Sequence, residues 1–531
     1  QELVRRVDLA QGLTQHTLDI DFEWKRYSVD TDYYVESSEQ LLDYRNVIQE
    51  TIFEVDPLST IQESSYHGEM VHAQTLHMEM PVEMLKTDLL DNRSYGPRKY
   101  YKSKIATSQG PSRRQTLVEF LTSMQDRNFD PPQESGDLDF DRLFEAMFAD
   151  FIEVTGKDDI QDYLVQCQSS PIQCDIRNLA DTLSRMPPEK VQILLKGEIE
   201  SWEVLDGSRL KVIVKPEAKP RVRSGRAYAG NQTVVFNESE FNLGFISQFN
   251  ELHRRIVGGF AEFVRLGTRT DPKGVAQFAS RFSKPSEIYG ENDFSKYDKG
   301  EGENVKELEV RFYQRYGFYL GDSTRWFDAQ DVGKLSAVSF FFKLVLEIQR
   351  RSGQLTTLLG NTIICMLTVI HIYRVKRHQI NWCFFQGDDS LIAWKKRPNV
   401  IKGIEERMMY LAGLMGKPEI FKIGYCCSRF FLRVRGKLKW VYDPLLLCVK
   451  LGRTLSAKEY SDLEERARSY CELTEDYRDQ EVLEALDEAL NERYGLIRGK
   501  GYLCARACRE ATRNSHNFVG LWERKPTVIG A

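Results

Sequence analysis

Two hydrophobic periods alternate along this chain and divide it into elements before any chemistry is considered. In the segment from Asp130 to Asp162, a Pro-containing opening gives way to Leu143, Phe144, Met147, Phe148 and Phe151, a helical stripe set among acidic residues. That pattern predicts an amphipathic helix with a solvated acidic face. Val305, Leu308 and Phe312 mark a second helix, followed by Gly317, while Phe342 to Ile348 alternates as a strand ahead of the apolar run Thr362 to Ile370. From Trp382 to Trp394, two apolar runs flank Gly387-Asp388-Asp389, the pattern of a β-hairpin whose turn presents two carboxylates. Ser456 and Glu459 have the spacing of a capping box and predict a helix running to about Leu473. Leu483, Leu486 and Leu490 predict another from Glu481 to Tyr494, closed by Gly495 in a left-handed conformation. With a break at Met186-Pro187-Pro188 and no internal repeat, the expected class is α+β.

Composition sharpens this picture in three ways. A chain of 531 residues with 41% apolar and 11% aromatic side chains has room for two to four packed domains, and 35 glycines and 17 prolines exclude a fibrous or low-complexity chain. The net charge of −5 counts, on average, against a polyanionic partner. Its distribution reverses that reading: residues 1–200 carry −17 and residues 201–531 carry +12, with basic clusters at Lys211–Arg226, Arg374–Arg377, Lys395–Arg397 and Arg429–Lys439. The ten cysteines are irregularly spaced and several, such as Cys365, Cys383 and Cys448, sit in apolar runs, so core thiols in a reducing compartment are expected. A zinc site built from Cys504, Cys508, Cys426, Cys427 and His516 is the weaker alternative, since no pair has the two-residue separation of common zinc knuckles. The longest apolar run falls short of the ~18 residues a membrane span needs. An opening at Gln1-Glu2, without initiator Met or signal peptide, suggests a piece of something longer.

Four strings carry candidate chemistry. Asp388 and Asp389 on a hydrophobic hairpin suit a hard divalent cation, although Gly-Asp-Asp alone is as readily a bare acidic turn. Asp293 and Asp298, five positions apart, fall at a strand end and a helix entry. Ser352, Gly353, Thr357 and Asn361 form a loop and helical face rich in hydrogen-bonding groups, suited to a sugar or phosphate or, equally, to the protein core. Between Lys211 and Arg226, six basic residues stand against one acid, fit for phosphate oxygens or for solvent. In this order, the four are what a template-directed nucleotidyl-transfer site needs, with two divalent ions held by Asp293 and Asp388.

The ordered strings resemble viral RNA-dependent RNA polymerases of the alphavirus-like superfamily, particularly the tobamovirus-like replicases, over roughly residues 188–455. DFSKYDKG (293–300) is similar to their motif A, SGQLTTLLGNT (352–362) to motif B, FFQGDDSLI (384–392) to motif C, GYCCSRFF (424–431) to motif E, and VYDPLLLCVKLG (441–452) to the start of the thumb. The resemblance implies a right-hand fold: fingers at 188–285, a palm with an antiparallel sheet at 286–445 carrying an inserted fingers segment 318–350, and a helical thumb at 446–531. An acidic extension or linker would occupy 26–187. It implies Asp293, Asp388 and Asp389 as metal ligands and catalytic acids, with two Mg2+ or Mn2+ ions as cofactors. Asp298, Ser352, Gly353, Thr357 and Asn361 would bind the nucleotide, Lys215, Lys219, Arg221 and Arg223 its triphosphate, and Ser428 with Arg429 the primer end. Lys417 or Lys422 would be the general acid, with Lys417 preferred. The implied activity is RNA synthesis from NTPs on a viral RNA, in replication or transcription of a positive-strand genome. Expected partners are RNA template and product, NTPs and other replicase domains such as a helicase and a capping enzyme, in membrane-associated complexes of the host cytoplasm reached only through partners.

Two departures accompany the resemblance. Motif A runs on as Asp298-Lys299-Gly300-Glu301, where the group usually has Ser and Gln in the last two places, which bears on the local loop. Gly12 to Thr17 is similar to the last motif of superfamily 1 helicases, but Gln15 stands where Arg is usual and no phosphate loop occurs in the chain, so residues 1–25 are expected to be a helicase remnant without ATPase activity. A reverse transcriptase shares the two-aspartate hairpin, but Asp298 stands where a bulky aromatic would exclude the 2′-hydroxyl. A catalytically silent RNA-binding or scaffold subunit is the rival from another class.

Overall fold

The computed structural model describes residues 43–56, 82–83, 99–107, 120, 123–124, 127–128, 139–173, 176–185, 188, 191, 207–215, 222, 231–237, 239–268, 271–295, 297–319, 321, 326–328, 333–337, 343–346, 350–399, 402–453, 455–457, 459–525 and 527–528. Strand β1 (Arg209–Val214) pairs antiparallel with β2 (Thr233–Asn237), Val212 facing Val235. Along β1, Leu210, Val212 and Val214 are buried and the residues between them exposed, the period of two that a one-sided sheet demands. The sheet continues through Gly333–Ala337, Lys343–Leu346 and Val82–Glu83. The alternating run predicted at 342–348 is thus a strand, described from Lys343 to Leu346.

A second sheet carries the candidate acids. It comprises β3 (Val264–Leu266), β4 (Ile288–Phe294), β5 (Ile380–Gln386), β6 (Asp389–Trp394) and β7 (Gly416–Phe421), in the order β7-β4-β6-β5-β3, antiparallel except where β3 meets β5. Both faces are covered. Helices α1 (Phe140–Thr155), α2 (Glu303–Arg315) and α3 (Thr357–Ile372) share a core with Cys383, Phe385, Ile392 and Trp394. The other face, with Tyr289, Trp382, Phe384, Leu391 and Ala393, packs on Phe431, Leu438 and Trp440 of a three-stranded sheet formed by β8 (Gly424–Cys426), β9 (Arg429–Val434) and β10 (Lys437–Tyr442). Burial on two faces is why these strands read as continuous apolar runs.

Helix α1 keeps most of its acids exposed, as expected, but its apolar face docks on the core instead of standing on a separate extension. Phe144, Met147, Phe148 and Phe151 enter the core shared with α2 and α3. Its acids then meet basic residues there: Asp141 pairs with Arg311, Glu145 with Arg315, Asp150 with His371 (2.8 Å) and Glu153 with Lys376 (2.7 Å). Such partly exposed pairs are each worth under about 1 kcal/mol, so aromatic burial docks the helix and the charges fix its orientation. Of the basic cluster 374–377, Lys376 and Arg377 are correspondingly paired with acids of the N-terminal portion, Arg377 with Asp158. Residues 1–42, including the helicase-like string, lie outside the described residues.

The C-terminal helices α4 (Pro444–Leu451), α5 (Asp462–Leu473), α6 (Gln480–Tyr494) and α7 (Lys500–Thr512) pack with Tyr44–Val55 and one face of β9. Helix α6 ends at Gly495 with φ +72°, as its sequence predicts. The capping box at Ser456 is not formed. Leu455–Ala457 is a strand paired with Lys99–Tyr101, the Glu459 amide donates to the Asp462 carboxylate and the Glu459 side chain pairs with Lys99, so the helix starts only at Asp462. Cys504 and Cys508 gather with Cys448 as buried thiols, away from Cys426 and Cys427, which corrects the zinc grouping. Among the described residues, no helix is long and apolar enough to cross a membrane.

Asp443 ties the C-terminal elements together. Fully buried, it caps α4 through the amides of Leu445 (2.9 Å) and Leu446 (3.4 Å) and accepts from the hydroxyls of Tyr425 (3.1 Å) and Tyr494 (2.6 Å). Burial pushes its carboxyl up to about 6 against these four donors. Asp443→Ala leaves a helix end uncapped and removes the shared acceptor of two tyrosine hydroxyls, and should destabilise the protein by roughly 2–5 kcal/mol. Urea unfolding measures it; a loss under about 1 kcal/mol would contradict this account of the hub.

Candidate active site

Strand β4 sets the site through its two registers. Toward β7, Asp293 lies directly opposite Lys417; toward β6, Asn292 lies opposite Ser390, so Asp389, one residue on, reaches the same end of the sheet as Asp293. Both acids are exposed. Asp388 is half-buried in the two-residue turn between β5 and β6, which Gly387 enters at φ +63°, a conformation that favours glycine. Helix α3 fixes the turn from below: the Gly387 amide donates to Thr362 Oγ1 (2.8 Å), and the Cys365 thiol lies 3.7 Å from the Asp388 carbonyl oxygen. Their role in fixing the turn escaped the reading of the sequence, although their three-residue spacing puts them on one helical face. Three carboxylates at an open sheet end are hard oxygen donors and fit divalent cations of the Mg2+ type.

The nucleotide-binding residues divide into two groups. Asp298 lies in the one-turn helix Tyr297–Gly300, ahead of α2 rather than at its entry, and accepts a 2.7 Å hydrogen bond from Asn361 Nδ2. Burial pushes the Asp298 carboxyl up, Asn361 opposes the shift, and the Asp388 charge adds to it. Tyr297 donates to the Asn361 carbonyl (3.1 Å) and holds that backbone. The ledge expected of Ser352, Gly353 and Thr357 is otherwise engaged. Ser352 Oγ bonds the Thr233 carbonyl (3.1 Å) and the Val235 amide (3.3 Å), the Gly353 amide donates to the Val235 carbonyl (2.8 Å), and Thr357 Oγ1 donates to the Arg351 carbonyl (2.7 Å). The loop zips onto β2, and a side chain at Gly353 would collide with Phe236 and Val234. Thr357 and Asn361 therefore do not form one free polar face.

Lys417 and Lys422 separate clearly. Lys417 is exposed beside Asp293, with Glu419 at 3.9 Å, whereas Lys422 follows the far end of β7, where its amide donates to Glu492 (2.8 Å). Of the basic loop, Lys215 reaches Gln232 (2.9 Å); Lys219, Arg221 and Arg223 lie outside the described residues. Ser428 occupies the β8–β9 turn with φ +62°, and Arg429 is laid over Trp440 and Tyr442, where burial lowers its proton affinity.

Glu301, the departure in motif A, has a partner the sequence did not disclose. It is buried with Arg350, which also pairs with Glu309 of α2, so one guanidinium joins the motif A turn, α2 and the start of the Ser352 loop. Two buried acids share one cation. Burial pushes the Glu301 carboxyl up to about 8, against the attraction of Arg350 and with the repulsion of Glu309.

Three carboxylates at one end of a mostly antiparallel sheet, with a hydrogen-bonded Asp–Asn pair on the neighbouring helices, are the donor set expected of the polymerase class. The profile of the RNA-dependent RNA polymerase family matches residues 75–521, and the chain belongs to that family, as its motifs implied. It is 26% identical to the replicase polyprotein 1ab of Beet yellows virus over 81% of this chain and 14% of that protein. It is equally 26% identical to the replicase large subunits of Sunn-hemp mosaic virus (78% of this chain, 26% of the relative) and Tobacco mosaic virus strain OM (73% and 24%). The chain thus spans about a quarter or less of these larger proteins. Among solved structures, the insertion loop deletion mutant of the RNA-dependent RNA polymerase of a human picorbirnavirus is similar at 12% identity, with a TM-score of 0.48 over 75% of this chain and 78% of that one.

The Glu301 environment predicts a pH effect with a definite sign. Its folded-state proton affinity exceeds the ordinary value of 4.5, so its contribution to stability is full in acid and declines as pH rises toward about 8. Glu301→Gln should therefore lose less stability than the parent between about pH 6 and pH 9, read as thermal midpoints across that range. Parallel curves would contradict the assignment.

Proposed function

We propose that this chain catalyses template-directed RNA synthesis from nucleoside triphosphates, the polymerase step in copying a positive-strand viral RNA. The observation that carries the reading is the strand register, which sets Asp293, Asp388 and Asp389 at one sheet end in a member of the polymerase family. These three residues would hold two divalent ions, Mg2+ or Mn2+, which when bound activate the 3′-hydroxyl and neutralise the departing pyrophosphate. The chain's own groups supply the rest. Lys417, beside Asp293, is suited to hold a proton for the pyrophosphate. Asn361, oriented by Asp298, meets the ribose: its Oδ1 is buried and, among the described residues, accepts no hydrogen bond, so a 2′-hydroxyl would satisfy it. Ser352, Gly353 and Thr357 act one step back by fixing the loop that leads into α3. Lys215, Lys219, Arg221 and Arg223 would bind triphosphate, and Ser428 with Arg429 the primer end.

The division into fingers (188–285, with 318–350), palm (286–445) and thumb (446–531) belongs to this reading. So does assembly with further replicase domains at host cytoplasmic membranes, consistent with relatives several times longer than this chain.

Two measurements test it. Purified chain with an RNA template, NTPs and Mg2+ should extend labelled RNA, and Asp388→Ala should lose on the order of 1,000-fold or more in rate while keeping its thermal midpoint. Equal extension by Asp388→Ala, or none by the parent, refutes the proposal. Asn361→Ala should narrow the preference for NTPs over dNTPs about ten-fold or more; an unchanged ratio removes Asn361 from sugar selection.

A further inference from the structure

The β8–β9 turn brings two thiols to a catalytic carboxylate. In an extended strand consecutive side chains point to opposite faces, so Cys426 and Cys427 would ordinarily diverge. Here Cys427 has φ +52° and Ser428 φ +62°, a left-handed pair closing a two-residue hairpin between Cys426 and Arg429. The break in alternation brings the two sulfurs 3.7 Å apart. A carboxylate oxygen of Asp389 joins them, with all three ligand atoms within 4.8 Å of one another.

We propose that Asp389, Cys426 and Cys427 form a binding site for a thiophilic divalent cation, Zn2+ in particular, and that its occupation inhibits the polymerase. Two zinc–sulfur bonds of about 2.3 Å at a tetrahedral angle place their sulfurs about 3.8 Å apart, close to the separation the turn already imposes. Three protein ligands leave a fourth position open, and access is available because Asp389 is exposed and Cys427 half-buried. Binding releases the two thiol protons to solvent, and the resulting thiolates and carboxylate balance the cation to a net −1. Mg2+, which prefers oxygen, does not compete for the sulfurs. The consequence follows from the shared ligand: an ion held here draws Asp389 away from Asp293 and Asp388. The other thiol group, Cys448, Cys504 and Cys508, is a poorer candidate, being closed from solvent with sulfur separations of 3.3 and 3.5 Å.

The site itself is independent of the polymerase reading; only the inhibition rests on it. Co2+ is the probe, added to the reduced full-length chain. One equivalent should produce a thiolate-to-cobalt charge-transfer band that Zn2+ abolishes and excess Mg2+ does not. The band should disappear in Cys427→Ser and persist in Cys504→Ser. In RNA extension at saturating Mg2+, Cys427→Ser should need at least ten-fold more Zn2+ for half-inhibition of its own rate. Absence of the band, its survival in Cys427→Ser, or unchanged Zn2+ sensitivity would each overturn the proposal. If the parent extends no RNA but shows the band with this dependence, the site stands and the polymerase reading fails.

Discussion

The register of β4 between β7 and β6 is the constraint on which the rest of this molecule depends. Side chains alternate along a strand, so a slip of one residue would turn Asp293 away from Lys417 and send Tyr289 out of its packing with Trp382. What forbids the slip is the two-faced apolar burial of β5 and β6, between the α1–α3 layer on one side and β9 and β10 on the other. Hydrophobic packing in the middle of the sheet thereby decides where the carboxylates stand at its end. The same strand carries Glu291, which accepts from Arg493 of α6 (2.8 Å) and from the Tyr425 amide (2.7 Å), linking this sheet to the C-terminal helices.

Electrostatics then separates the molecule's pairs from its site. Acids of α1 meet Arg311, Arg315 and Lys376, and Arg435 and Lys439 meet Asp476, Asp479 and Glu481. Much of the charge that looked available for RNA is used in fixing neighbouring elements. At the sheet end, Asp293 and Asp389 stand beside the turn that carries Asp388, and the register sets Lys417 opposite Asp293, an arrangement that suits bound cations. The −5 of the whole chain says little about that local requirement.

Much of this was legible in the sequence, for physical reasons. The hairpin at Gly387, the strand ending in Asp293, the stripe of α1 and the Gly495 stop each follow from short-range periodicity and backbone preference. That Asp298 and Asn361 belong to one site was implied by motif resemblance, and their hydrogen bond was not foreseen, since nothing local joins residues 63 positions apart. What escaped depends on long-range neighbours. Ser456 looks like a helix cap until Lys99–Tyr101 supplies a strand for it, and Glu301 looks out of place until Arg350 arrives from a different segment. Ser352 has the chemistry to bind a sugar, but β2 offers its backbone first. The adjacency of the Cys427 thiol and Asp389 rests on a positive φ at a residue type that rarely adopts one.

Counting Mn2+ ions by electron paramagnetic resonance, with the full chain bound to an RNA primer–template and a non-hydrolysable NTP analogue, tests the central claim most directly. The account predicts two ions per chain that are magnetically coupled to each other, with the coupling lost in both Asp293→Asn and Asp388→Asn. A single ion, or a coupled pair that survives both substitutions, would contradict it.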